Sequence, residues 1–343
     1  MKRYKILLGI STNYGISQLI EKNLTYYNFD VVSISPHDEY NKKFVYPSFI
    51  SRARVKFRKI FLRDKQAKFK LISEMLKKQV ETQLNNDVFD YALFFLANNY
   101  SLDFIRYIKP KVKSGGMINY QWDGMQRYPF IYELLPFFDR AYVFNPSDLN
   151  DTKYSLLPTT NFYFDYDLTP LNVEYDFYFL GGNIPDRQKD IIRFANYAQN
   201  KGWKLDFNIV CSKTPNNYRQ LYPTNINLLS QSEAKSYQDN LLAARKAKVL
   251  VDFVINSHQG LSLRTFEALG HNKKLITTNK EILKYDFYHP HNIFILDDNV
   301  DELEEFLSKP YYVIDPNIKE KYSFGNWIKY VLNIHPHQPI SLP

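Results

Sequence analysis

Arg264 and Glu267 stand three residues apart in the stretch His258-Gln259-Gly260-Leu261-Ser262-Leu263-Arg264-Thr265-Phe266-Glu267-Ala268-Leu269-Gly270. On a helix that spacing puts both side chains on one face. A guanidinium able to clamp phosphate then lies beside a carboxylate able to accept hydroxyl protons. The apolar run Val249 to Val254 reads as a buried strand, and Lys274 to Thr278 as the next one. A polar turn holding Gly260 joins the first strand to a helix over Ser262–Leu269, with Gly270 as its C-cap. A strand that feeds a loop and a helix N-terminus is the usual anion site of an α/β sheet, because free N–H groups and the positive end of the dipole face the ligand. The plainer alternative is a surface pair worth a few tenths of a kcal/mol. Arg187 follows the glycine turn Gly181-Gly182-Asn183 and sits at a helix start, where a cation opposes the dipole; an anionic ligand would explain it. Asp123 follows a strand over Gly116–Trp122, with Arg127 close behind. Carboxyl ends of parallel strands face the ligand crevice, although a turn cap is the competing role.

These residues belong to a chain of 343, long enough for two domains of ordinary size. Hydrophobic residues make up 45%, enough for real cores and too many for a disordered chain. No apolar run approaches the roughly 20 residues that span a bilayer. The start, Met1-Lys2-Arg3-Tyr4-Lys5-Ile6, has no signal-peptide core, and one cysteine, Cys211, excludes a disulfide framework and a cysteine-rich metal site. Together these features predict a cytoplasmic protein. The formal charge of +8 suits an anionic partner: a nucleotide, a membrane surface or nucleic acid. The 28 Tyr and 26 Phe read mostly as core, with platforms for sugars and bases as the alternative.

The chain alternates strand and helix twice. Tyr4–Gly9, a helix over 16–27 and a strand over 30–34 make a βαβ opening. Its loop lacks the full dinucleotide fingerprint. A helix over 65–84, a nearly all-apolar strand over 90–96, a helix over 101–108 capped by Ser101, and strands over 116–122 and 139–144 complete the first half. Residues 145–173, rich in Asn, Asp, Pro and Thr, read as a connection. Asp165-Tyr166-Asp167 has the bare spacing of a metal motif and reads as part of it. The alternation restarts with a strand over 175–180, a helix from 186 to 201, strands near 205–210 and 226–229, and a helix over 233–246. After the opening motif come a strand at 293–296 and helices over 300–307 and 317–332. The tail from His335 to Pro339 reads as frayed. The predicted domains are 1–155, on the acceptor side; 156–315, for the donor; and a last helix with its tail, 316–343, packing back toward the first.

One segment interrupts this order. Between Arg52 and Lys70 lie nine basic residues, among them Arg52, Arg54, Lys56, Arg58 and Lys59, with Val55, Phe57, Ile60, Phe61 and Leu62 between. The mixture suits contact with an anionic membrane or acceptor; a solvated helix face is the alternative. No nucleic-acid module accompanies it.

Two α/β units of similar size predict an α/β fold of two Rossmann-like domains facing across a cleft. Phe179-Leu180-Gly181-Gly182-Asn183-Ile184-Pro185-Asp186-Arg187 resembles the strand–glycine–Arg element of GT-B glycosyltransferases. The stretch Gln259 to Gly270 resembles their nucleotide-sugar motif, and the combination is similar to bacterial capsule and lipopolysaccharide glycosyltransferases with a Gly…Arg-x-Phe-Glu motif. The resemblance implies transfer of a sugar from a nucleotide-sugar donor to a growing surface glycan, free or carried on a lipid, with no metal and no other cofactor. It implies that Glu267 holds the ribose hydroxyls, and that Arg187 meets the diphosphate where Gly181 and Gly182 let the backbone come close. Arg264 and the amides after Gly260 would complete the charge sink that a departing diphosphate needs. Gln259 departs from the pattern, which has Glu there. An amide can hydrogen-bond a sugar but cannot serve as a carboxylate, so an inverting route is open. Such a route needs a base for the acceptor hydroxyl; Asp123 is the first candidate and His258 the second. The alternatives are an epimerase or phosphorylase of the same fold, or a non-catalytic glycan- or nucleotide-binding partner in a synthesis complex.

Overall fold

The computed structural model describes residues 3–11, 14–36, 44–64, 67–84, 87–255, 259–297 and 299–343. The chain forms two compact units. One is Met1–Thr159 with Val331–Ile334; the other is Thr160–Tyr330 with His335–Pro343.

The first unit holds a six-stranded parallel sheet of β1 (Tyr4–Gly9), β2 (Phe29–Ile34), β3 (Tyr91–Phe95), β4 (Met117–Gln121), β5 (Arg140–Val143) and β6 (Leu156–Pro158). Their order is β2-β1-β3-β4-β5-β6. Leu8 lies opposite Ser33 on one side and Leu93 on the other. Ile6, Leu7 and Leu8 are wholly buried, because helices cover both faces of a parallel sheet. Ser101 caps the helix Leu102–Ile108 by accepting from the Phe104 N–H at 3.1 Å. The basic segment forms a helix, Phe49–Phe61, that contacts the helix Ala67–Leu84.

The second unit repeats the plan with β7 (Tyr175–Gly182), β8 (Leu205–Val210), β9 (Asn227–Leu229), β10 (Ala247–Asp252), β11 (Lys274–Thr277) and β12 (Ile293–Ile295). All pair in parallel, in the order β12-β11-β10-β7-β8-β9. Strand order therefore reverses between β7 and β10, the place where open α/β sheets bind ligands. Side chains alternate across this sheet as strand geometry requires. Phe177, Phe179, Val249 and Val251 pack in one core with Ile191 and Phe194 of the helix Pro185–Asn200. Tyr178 and Leu250 pack in the other core with Phe266 of the helix Leu263–Gly270.

Several expected elements come out differently. Residues 160–164 are buried rather than a loose connection; Phe162 lies 4.5 Å from the Trp327 ring, and Trp327 Nε1 donates to the Thr160 carbonyl at 3.0 Å. The single helix expected over 317–332 is two, Pro316–Lys321 and Phe324–Leu332. Tyr322 and Ser323 leave the helical path to pair with the backbone of Tyr163. Gly270 is not a left-handed cap. It is the last helical residue, and a Cβ there would lie 2.4 Å from the Tyr163 ring; the left-handed residue is Asn272, φ 51°. The tail is tied down, since the Gln338 N–H donates to Asn326 Oδ1 at 2.7 Å and Ile340 is buried.

Candidate functional site

The carboxyl ends of β7 and β10 bring together most of the residues marked in the sequence. The helices Pro185–Asn200 and Leu263–Gly270 start just beyond these strands and belong to opposite faces of the sheet. Neither N-terminus is closed by a capping side chain. Ser262, in the N-cap position of the second, donates its hydroxyl instead to Asp252 Oδ2 at 2.8 Å. Helix N-termini left in this way offer amides and positive dipole ends to an anion.

Arg187 lies across the two strand ends. Its Nη2 donates to the Gly182 carbonyl at 2.6 Å and its Nη1 to the Phe253 carbonyl at 3.4 Å, while the guanidinium sits 5.4 Å from the Phe179 ring centre. Burial lowers its pKa, and the nearby Asp252 carboxylate works in the opposite direction. This packing accounts for Gly181, where a Cβ would lie 2.5 Å from Arg187 Nη2. Gly182 differs: a Cβ there would make only ordinary contacts, the nearest with Arg187 Nη2 at 3.8 Å.

Arg264 and Glu267 form a buried ion pair, Nη1 to Oε2 at 2.6 Å, with side chains 14% and 3% exposed. The other carboxylate oxygen accepts from the Tyr237 hydroxyl, and Arg264 stacks 4.8 Å from the Tyr178 ring. Burial works against the Arg264 charge, but Glu267, the two tyrosines and Asp252 more than restore it, and its pKa stands above the ordinary value. Burial beside Glu267 holds the Tyr237 phenol well above its usual range. Both oxygens of Glu267 are therefore engaged, each with one further lone pair to offer. Asp252 joins the two groups, since its charge favours the protonated form of both Arg187 and Arg264.

The remaining candidates lie elsewhere or outside the described residues. His258 is among the latter. Gln259 is exposed and its carbonyl accepts from Asn279 at 3.4 Å, while Gly260 is buried. Asp123 follows β4 in the first unit. Arg127 Nη1 donates to both of its oxygens, at 2.9 and 2.7 Å, and the Gly124 N–H to one of them at 2.9 Å. Nearby, Asn99 donates to Ser11 at 3.1 Å and Gln121 to Asn98 at 3.4 Å. Asp165 and Asp167 do not converge. The first accepts from the Gly325 N–H, the second binds buried Arg245 at 3.0 Å. Among the described residues no cluster of three or more His, Cys, Asp or Glu could hold a metal ion.

Sequence reasoning missed Tyr237 and Asp252. Asp252 carried a signal, a lone carboxylate at the end of an apolar strand. Tyr237 carried none, since 30 residues separate it from Glu267.

No protein-family model matches the sequence, and no curated protein matches it. Solved structures do. The catalytic domain of starch synthase IV from Arabidopsis thaliana, bound to ADP and acarbose, aligns at TM-score 0.53 and 9% identity over 93% of this chain and 94% of that one. A lipopolysaccharide outer core galactosyltransferase, WaaB, aligns at 0.50 and 13%, over 96% and 99%. UDP-GlcNAc 2-epimerase from Methanocaldococcus jannaschii, in complex with UDP-GlcNAc and UDP, aligns at 0.50 and 12%, over 97% and 99%. The chain spans 58% of the length of another match, a glycosylation associate protein complex from Streptococcus agalactiae. Two parallel six-stranded α/β domains, matched over nearly their whole length by the starch synthase domain and the galactosyltransferase, give the chain the GT-B fold.

Proposed function

We propose that this protein is a glycosyltransferase that moves a sugar from a nucleotide-sugar donor to a growing bacterial surface glycan, of the capsule or lipopolysaccharide kind, without a metal ion. The observation that carries the reading is the pairing of two uncapped helix N-termini with Arg187 and Arg264 where strand order reverses in the second unit. Breaking the glycosidic bond places negative charge on a diphosphate, and fixed cations with helix dipoles stabilise that charge without reorganising. In this reading the diphosphate lies over Gly182 between the two helix starts. Arg187, Arg264 and the amides after Gly260 receive it, and Gln259 hydrogen-bonds the sugar. Glu267 takes the ribose hydroxyls through its remaining lone pairs. Asp123 is the base for the acceptor hydroxyl, with Arg127 hydrogen-bonded to both of its oxygens, and His258 is the second candidate. Fold neighbours bound to ADP or to UDP-GlcNAc support the donor class.

The test is calorimetric titration with UDP, ADP, GDP and their sugar conjugates. One of them binds the wild type, and Arg187→Ala weakens it by about ten- to a hundredfold, the worth of a charge-assisted hydrogen bond. Binding by none of them, or binding indifferent to Arg187, removes the proposal. Release of free nucleotide only when an acceptor glycan is supplied separates transfer from epimerisation.

A further inference from the structure

The helix Phe49–Phe61 has its polarity reversed relative to a packed surface helix. A helix on a globular domain turns its apolar stripe inward. Here the one buried residue is Val55. Phe49, Ile50, Phe57, Ile60 and Phe61 are exposed, at 84%, 77%, 53%, 59% and 70%. At about 100° per residue, Phe49, Ile60, Ala53, Phe57, Ile50 and Phe61 fall within an arc of roughly 120° on the side away from Val55. Lys56, Arg52 and Lys59 border that arc on one side, Arg54 and Arg58 on the other. The Phe57 and Phe61 rings stack at 4.8 Å along it. The helix is well formed in its own right: Ser48 and Ser51 make a reciprocal capping box, and Arg58 and Lys59 complement the dipole in the last turn.

Charge identifies what covers this face. From Phe49 to Arg63 the sequence has six cations and no acid. Among the described residues, Arg58 alone of the six is paired with a carboxylate, Asp64, at 2.9 Å. A second copy of the same helix would set these cations against their like, which disfavours self-pairing. A nucleic acid would satisfy the cations but offers a charged backbone to the apolar stripe. A lipid surface offers anionic headgroups at the height of the flanking cations and an acyl boundary below them, into which apolar side chains dip while the basic ones extend sideways.

We infer that Phe49–Phe61 is an interfacial helix that seats the first unit on an anionic membrane surface, its outer apolar face entering the headgroup–acyl boundary. The inference does not rest on the donor chemistry, and its test needs neither donor nor acceptor.

Flotation of the full chain with vesicles provides that test. The wild type floats with phosphatidylcholine vesicles containing phosphatidylglycerol, much less with phosphatidylcholine alone, and high salt weakens the association. Replacing Arg52, Lys56 and Lys59 by Gln lowers partitioning to anionic vesicles on the order of a hundredfold. Phe57→Ser with Phe61→Ser lowers it by a similar factor. The substituted side chains are exposed, so circular dichroism and melting temperature stay at the wild-type values. A Phe57→Trp variant keeps flotation, and its emission shifts to the blue on anionic vesicles. Flotation of the Phe57→Ser/Phe61→Ser protein at the wild-type level overturns the inference. So does a wild type that ignores anionic vesicles, including one that forms dimers by light scattering which the same double variant breaks.

Discussion

An arginine–carboxylate pair follows a parallel strand in each half of the molecule, and the two pairs differ in burial. In the second unit Arg264 and Glu267 are 14% and 3% exposed and share their carboxylate with Tyr237. In the first, Asp123 and Arg127 are 17% and 47% exposed, and the carboxylate also accepts from the Gly124 N–H. The chemistry is the same and the consequences are not. A buried pair is held in place by the cost of separating it, which fixes the guanidinium where the proposed reading puts the diphosphate. An exposed pair contributes little to stability, so its carboxylate can exchange partners. In the proposed reading, a donor site that meets the same diphosphate at every turnover suits the first arrangement. In the same reading, a base that gives up its arginine contact to take a proton suits the second.

The sharpest way to break this contrast is to remove the two carboxylates in turn. Glu267→Ala leaves a buried guanidinium unpaired and destabilises the protein by about 3–5 kcal/mol, read as a drop in melting temperature or in denaturant midpoint. A loss below 1 kcal/mol would show that Arg264 reaches solvent freely and that the two pairs are alike.

A smaller effect probes the opposite end of the second sheet. Burial, with Arg245, Lys319 and Lys273 nearby, lowers the pKa of His271 to about 4, and its Nε2 is buried without a partner among the described residues. The folded protein therefore keeps this ring neutral at a pH where the unfolded chain, with a pKa near 6.5, takes up a proton. The sign follows: stability is whole above about pH 6.5, declines as pH falls toward 4, and levels off below, a loss on the order of 3 kcal/mol from this one group. His271→Gln flattens that limb of the pH–stability curve. An unchanged limb would show the ring to be solvated.

The least effect on stability is expected at Asp123. Asp123→Asn costs no more than about 1 kcal/mol and leaves nucleotide affinity at the wild-type value. Glycosyl transfer falls by at least about a hundredfold if the carboxylate is the base. Transfer at the wild-type rate would end that assignment without touching the donor site.

Much of this organisation was legible in the chain. Continuous apolar runs such as Ile6–Leu8 and Val249–Val251 announce strands covered on both faces, because nothing in them is left for water. The spacing of Arg264 and Glu267 places them on one helix turn wherever that helix goes, since both belong to one short element. Gly181 stood out beside Gly182, yet its reason was hidden, because the atom that excludes a side chain belongs to the Arg187 guanidinium folding back over the strand. Gly270 was misread for the same cause: the Tyr163 ring that demands a glycine comes from more than a hundred residues away.

What the amino-acid sequence determined by itself is periodicity and local chemistry: alternating strands and helices, two halves, a run of cations free of acids between Phe49 and Arg63. What only the tertiary structure decided is company and exposure. It gave Glu267 the Tyr237 hydroxyl, set Asp252 in the field of two arginines, and turned the phenylalanines of Phe49–Phe61 outward instead of in. The reason is physical. Helix and strand periods follow from backbone geometry over neighbouring residues, whereas burial and pairing follow from which distant surfaces close on one another.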